Sequence, residues 1–390
     1  MKELNAAVDH IHAELIGFAQ ELVRIKSYPG QEEEIVRHIK ARMDALGYDE
    51  VTVDAMGNVV GRIGSGEQVL MFDSHVDTVR VDDESVWDHP PFSGNIVDGR
   101  LYGRGSVDMK SAAAASVYAA ATAKALGLVE NKTVYVSCTV MEEDCDGENL
   151  KHLFKACGIN PDYMIICEPS GNKLATGHKG KAQIKIKTHG VSAHGSAPEK
   201  GVNAIYEMAR IVQRVEQVSN RLLADPDTAG TIVASDISSK SASLNAVPFE
   251  CEIYLDRRLA LGETRETVEK EMASIIAGTS ATWEIGTLTR KSWTGMEIVY
   301  EPIHMPWQID MAHPLSATCV AAYQKIFGTA PEQDYWDFST NAVTTTAMGI
   351  PTIGFGPGEY KLAHMVNENC ETSQIVDACR FYAALIEALG

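Results

Sequence analysis

Three short stretches of this sequence, VLMF (69–72), TVYVSC (133–138) and YMIIC (163–167), are apolar almost throughout rather than at alternate positions. A strand of that kind must be covered on both faces, which in a globular protein means a sheet between layers of helices. The neighbouring sequence supplies such helices. Apolar residues at 11, 15, 16, 19, 22 and 23 recur at helical spacing, and predict one amphipathic helix over residues 4–25. Ile35, Val36, Ile39, Met43 and Leu46 share a face of a second helix over 32–46, with Gly47 as its stop. Between the first two strands lies the Ala-rich SAAAASVYAAATAKALG, ending at Gly127.

Beyond about residue 180 the pattern changes. KAQIKIKTHG alternates Lys with Ala and Ile, and PFECEIYLDRR (248–258) alternates through Phe249, Cys251, Ile253 and Leu255. Such strands are wet on one side. Helical stretches at 201–223 and 264–277 separate them, which predicts a small α+β unit with an open sheet. After about 292 the buried style returns, with a helix at 314–327, the apolar PTIGF (351–355) and a last helix at 371–389. A chain of 390 residues exceeds the usual reach of one hydrophobic core. The reading is therefore an α/β domain in two pieces, 1–179 and 292–390, with a second domain inserted at 180–291.

Charge and cysteine usage exclude several classes. Lys and Arg number 34 against 53 Asp and Glu, a net −19, which disfavours nucleic acid or an anionic membrane as partner. No apolar run approaches the roughly 20 residues that span a bilayer, and the charged N-terminus is no secretory signal. Eight scattered cysteines with no C-x-x-C pair fit a reducing cytoplasm and no disulfide framework.

The candidate site residues come after the apolar runs. His75 and Asp77 stand directly after VLMF, and Asp108 lies in GRGSVDMKSA, the Gly-rich turn before the Ala-rich helix. Glu142 and Glu143 stand in MEEDCDG, Glu168 ends YMIICEPS, and His364 lies in GPGEYKLAHMVNE after PTIGF. Ligand sites in open α/β sheets lie at the carboxyl ends of strands. Taken singly, an H-x-D or an acidic corner is more often a surface turn. Five such signals at successive strand ends point instead to metal. His75, Asp108, Glu143, Glu168 and His364 are one ligand more than a tetrahedral zinc usually takes from protein, so two cations about 3.5–4 Å apart with a bridging carboxylate suit them better. Asp77 is placed to accept the second N–H of the His75 ring. Glu142, adjacent to a ligand, is the natural general base. Mixed imidazole and carboxylate ligation suits Zn²⁺, with Mn²⁺ or Co²⁺ able to use the same set.

The motifs SHVDTV, GRGSVDMKSA, EED, CEPS, GVSAHGSAPEKGVNAI and LAHMVNE occur in an order that resembles the M20 metallopeptidase family, which includes acetylornithine deacetylase and succinyl-diaminopimelate desuccinylase. The likeness covers nearly the whole chain. It implies a zinc-peptidase-like catalytic domain, with a mixed sheet flanked by helices and an inserted α+β dimerisation (lid) domain. In its terms Asp108 bridges two ions, His75 and Glu168 complete one site, and Glu143 and His364 complete the other. Asp77 orients His75, Glu142 is the general base, and the Asp108–Met109 peptide is cis. His194, in SAHGSAP, reaches the active site of a neighbouring subunit and polarises the scissile carbonyl. Asn245 and Arg258 match positions that bind the substrate carboxylate, a task suited to the planar guanidinium.

Gly356 and Gly358 either let the backbone approach substrate or shape a turn. Met365 and Val366, between His364 and the Asn-Glu pair, depart from the family pattern and leave the substrate open. The sequence looks closest to a little-characterised branch of peptidases and deacetylases. The expected activity is hydrolysis of an amide in a small N-acylated amino acid or peptide, next to a free carboxylate, by a homodimer. A dipeptidase or aminopeptidase, an N-carbamoyl amino-acid amidohydrolase, and an inactive metal- or ligand-binding homologue are the alternatives.

Overall fold

The computed structural model describes residues 2–225 and 230–389. Its larger sheet has nine strands. The four at its centre run parallel, in the order Lys132–Thr139, Gln68–His75, Tyr163–Ile166 and Thr352–Gly354. All four are buried on both faces over most of their length, as their unbroken apolar sequences require. Antiparallel strands at the flanks make the sheet mixed. On one face lies the helix Lys110–Ala125, itself buried almost all round. Its alanines let the last helix, Thr372–Ala388, and the helix His12–Arg24 pack closely against it.

The N-terminal segment differs from its sequence reading. It forms two helices, Lys2–His10 and His12–Arg24, broken at Ile11. The break lets Leu4 and Val8 on one piece, and Leu15, Phe18 and Leu22 on the other, each reach the same core. One straight helix would have carried one of these sets off the surface it covers.

The chain leaves the larger sheet at Lys179 and enters a second, antiparallel sheet of five strands. Gly180–His189 and Glu250–Leu259 alternate strictly between buried and partly exposed positions. Helices Ala204–Ala224 and Arg265–Ile275 cover the buried face around Ile184, Ile253, Met208 and Met272. This sheet takes its fifth strand, Ile303–His304, from beyond residue 291, while Ile298 and Tyr300 just before it belong to the larger core. The strand Thr231–Lys240 forms one end of the sheet and carries exposed Val233 and Ile237. Among the described residues no helix is long and apolar enough to cross a membrane. All eight cysteines are free.

Candidate active site

Sheet register brings the chemistry together. His75 is the last residue of its strand and pairs with Thr139, while Asp73 pairs with Ile166 and Gly354 with Ile166 on the next strand. The segments continuing from these strand ends carry Glu142 and Glu143, Glu168, and His364. Asp108 arrives from the loop before the Ala-rich helix, and its peptide bond to Met109 is cis.

The two carboxylate oxygens of Asp108 face different imidazoles. Oδ1 lies 2.8 Å from Nε2 of His75, and Oδ2 lies 3.1 Å from Nε2 of His364. Glu168 Oε1 is 3.7 Å from the His75 nitrogen, and Glu143 Oε2 is 3.2 Å from the His364 nitrogen. Glu142 Oε2 stands 3.9 Å from His75 Nε2. The set thus divides into two halves about Asp108. Two trios, His75 with Asp108 and Glu143, and His75 with Glu142 and Glu168, each bring ligand atoms within 4.8 Å of one another. His75, Glu142 and Glu168 are buried, Asp108 and Glu143 are partly so, and His364 is exposed.

Four carboxylates so close need cations, and among the described residues no Lys or Arg pairs with any of them. The protein alone answers with protons. Burial lifts the Glu142 carboxyl well above its usual range, helped by Glu168 and opposed by His75. Glu168 is lifted in the same way by burial, with Asp108 and Glu143 adding. Burial disfavours charge on His75, but Glu168, Asp108 and Glu142 outweigh it and raise the imidazole well above its ordinary value. Hydrogen bonds to Asp108 and Glu143 push His364 up to about 11. A group of oxygen and imidazole donors that must otherwise share protons is chemically suited to divalent ions.

Asp77 corrects one expectation. Its backbone carbonyl, 3.0 Å away, is the partner of His75 Nδ1, and its carboxylate stands 3.7 Å off. That carboxylate accepts the backbone N–H groups of Glu142 (3.1 Å) and Glu143 (3.0 Å) instead. Glu32 accepts the N–H just before them, from Met141, at 3.1 Å. Met141 has φ of +63°, and Glu142 and Glu143 open a single-turn helix, so two buried carboxylates hold its first amides. On the other side Glu368 accepts the N–H groups of Val107 (2.8 Å) and Asp108 (3.1 Å) and pairs with Arg104 at 2.6 Å. Arg104 also donates to the His364 carbonyl, tying together the loops of Asp108 and His364. Glu32 has no signal in the sequence, where it reads as part of an acidic helix start. Glu368 stands in LAHMVNE but carries no sequence-derived role.

These side chains line a cavity of about 260 Å³ that also meets Asp146, Lys181, Arg258, Phe338, Ser339 and Tyr360. Arg258 is therefore present, held through Nε and Nη2 by Asp256 at 2.8 and 3.0 Å. Its neighbour Arg257 is buried inside the smaller unit against Glu263 and Glu271. Gly356 is not part of the cavity lining. It lies behind Glu168, where a Cβ would stand 2.2 Å from the Cys167 carbonyl, and its N–H donates to Ser170 Oγ at 3.0 Å. The close approach requires glycine there to seat the Glu168 loop. His194 and Asn245 also lie outside this cavity. Both line a separate exposed pocket, with Gly195 N–H donating to the Asn245 carbonyl at 2.6 Å. His194 Nδ1 faces Ser196, 3.1 Å from its N–H and 2.7 Å from its hydroxyl, and Nε2 has no hydrogen-bond partner among the described residues.

The profile of peptidase family M20/M25/M40 matches residues 71–388. The uncharacterised protein YgeY of Escherichia coli (strain K12) is 37% identical over 386 residues, 98% of this chain and 96% of that one. The acetylornithine deacetylase of Proteus mirabilis (strain HI4320) is 27% identical over 336 residues, 85% of this chain and 82% of its own. Among solved structures, the M20 family metallo-carboxypeptidase Sso-CP2 from Sulfolobus solfataricus superimposes with a TM-score of 0.74 at 16% identity, over 96% of this chain and 98% of that one. At that identity the likeness is one of fold.

Proposed function

Since the chain belongs to peptidase family M20/M25/M40 and is thus a metal-dependent peptidase or amidohydrolase, we propose that it hydrolyses the amide of a small N-acylated amino acid or peptide next to a free carboxylate. The observation that carries this reading is the division of the ligand set about Asp108, with Glu142 adjacent and buried. His75 and Glu168 would hold one divalent ion, Glu143 and His364 the other, and Asp108 both. When bound, such ions, with Zn²⁺ best suited and Mn²⁺ or Co²⁺ compatible, polarise a carbonyl and raise the acidity of water.

Glu142 takes the proton from the attacking water and returns it to the departing amine nitrogen. Its burial and its acidic neighbours raise its affinity for that proton, as a general base working near neutral pH needs. Asp77 and Glu32 keep the base and Glu143 in place through the backbone. Arg258 Nη1 carries no hydrogen bond among the described residues, and suits the substrate carboxylate together with Asn245. Because His194 and Asn245 do not line this chain's cavity, they would serve the site of a second copy. There the Nε2 proton of His194 would meet the oxyanion. The inserted unit, 180–291, would form the dimer through the exposed end strand Thr231–Lys240. A cavity of about 260 Å³ has room for a substrate of dipeptide size.

The test is to strip the protein with chelator, restore Zn²⁺, Mn²⁺ or Co²⁺ separately, and assay N-acyl amino acids and dipeptides. Turnover should return with metal, and Glu142→Ala should lower kcat by roughly 10²–10⁴. Full activity in Glu142→Ala would refute the role given to that residue.

A further inference from the structure

Lys181 and Arg258 stand directly opposite one another on neighbouring strands of the smaller sheet, and both line the cavity. Directly opposed residues project from the same face, and like charges so placed repel. Each cation has a carboxylate to steady it. Asp256 takes Nε and Nη2 of Arg258, and Asp146 Oδ1 takes Lys181 Nζ at 2.7 Å. Asp146 is buried at the end of the single-turn helix Glu142–Cys145. It also accepts from the Tyr300 hydroxyl and, at 2.6 Å, from Ser339 Oγ, with His304 Nε2 3.6 Å from its Oδ1. Neither carboxylate exhausts its cation. An ammonium has three N–H groups, and among the described residues Lys181 Nζ has no hydrogen-bond acceptor other than Asp146. Arg258 Nη1 is likewise without one.

We propose that Lys181 is a specificity-determining residue that binds the substrate carboxylate jointly with Arg258, the anion resting between the two strands. This role rests on the hydrolase reading above and deepens it. Register puts Lys181 on the same wall as the guanidinium given to that carboxylate, one strand spacing, about 4.8 Å, along the sheet. The two oxygens of a carboxylate offer about four lone pairs. They can accept from Nη1 of one residue and Nζ of the other and still receive Asn245. An anion there relieves the repulsion across the pair, and a neutral amide in its place does not. Asp146 is then a positioning residue. Two hydroxyl donors fix its carboxylate, and the carboxylate in turn aims the ammonium. The Lys181 side chain is only 13% exposed, so little of its freedom remains to be lost when the anion arrives.

N-acetyl-L-alanine, or whichever acyl amino acid or dipeptide of the assay panel turns over fastest, is compared with its carboxamide on the zinc-loaded protein. Lys181→Met should raise KM for the acid about tenfold with kcat nearly unchanged, and leave KM for the carboxamide within about twofold. The preference for acid over amide then falls about tenfold. Lys181→Gln, which keeps a donor towards Asp146, should move the preference the same way, and Lys181→Arg should retain most of it. Equal losses on acid and carboxamide in a folded variant overturn the proposal and leave Lys181 a structural joint to Asp146. A second measurement needs no Lys181 variant to fold. In a crystal structure of zinc-loaded Glu142→Gln with the acid bound, the carboxylate should lie within about 3.2 Å of both Lys181 Nζ and Arg258 Nη1. A carboxylate out of reach of Lys181 overturns the role. Turnover of no panel member would defeat the hydrolase reading itself, whereas turnover with an unchanged preference in Lys181→Met defeats the role of Lys181 alone.

Discussion

The rim of the larger sheet and the exposed loops of the smaller unit hold functional candidates in opposite ways. At the rim, His75, Glu142 and Glu168 are buried, and buried carboxylates hold the backbone of the neighbouring turn and loop. Asp77 and Glu32 hold the turn bearing Glu142 and Glu143, and Glu368 holds the loop bearing Asp108. In the smaller unit, His194 and Asn245 are solvent-exposed, line one open pocket, and lie beside Leu244, whose side chain is fully open to water. The first region is complete within one chain. The second resembles half of a site, and the difference locates where a second copy would be needed.

The largest effect that can break this comparison is expected from His194→Ala. With an oxyanion donor removed, kcat should fall by roughly 10²–10³ while the fold and metal content stay intact. Mixing that variant with Glu142→Ala, under conditions that exchange subunits, should restore about a quarter of wild-type activity, because half of the dimers then carry one intact site. No restoration would place His194 in its own chain's site or outside the chemistry.

A smaller effect should separate the regions by pH. His75 and His364 have proton affinities raised by the carboxylates around them, so cations must displace protons to bind. Zinc affinity, measured by chelator competition, should weaken as pH falls from about 8 to 6, by about tenfold per unit for each proton displaced. His194→Ala should leave that curve where it is. A pH-independent affinity would contradict the ligand assignment.

The smallest effect on the fold is expected at the exposed end strand. Ile237→Lys should change unfolding free energy by no more than about 0.5 kcal/mol, as a surface substitution does. It should nevertheless shift sedimentation towards monomer if this strand is the dimer face. An unchanged sedimentation profile would move the contact elsewhere.

Strand-end ligands are legible because a one-residue register is built into a parallel sheet: apolar runs mark the strands, and the residues after each run must emerge at the same edge. The break at Ile11 is not legible, since the helical periodicity of 4–25 continues through a bend that packing imposes. Asp77 is visible in the sequence, but its partner is not. Two residues of separation suggest a ring contact, whereas the carboxylate turns to amides 65 and 66 positions away. Glu32 and Asp146 give no signal, because an acidic residue within an acidic stretch looks the same in sequence whether it is solvated or buried under distant donors.

By itself the amino-acid order determined the layered fold, the approximate span of the second sheet, and the six side chains gathered at the rim. Short-range pattern suffices for these, because burial on one face or two is written into neighbouring residues. Only the tertiary structure decided which carboxylates hold backbone rather than ligand, that Gly356 seats the Glu168 loop, and that Lys181 neutralises Asp146. Those outcomes depend on distances between residues far apart along the chain, and a buried charge acquires its meaning from whichever donor folding brings beside it.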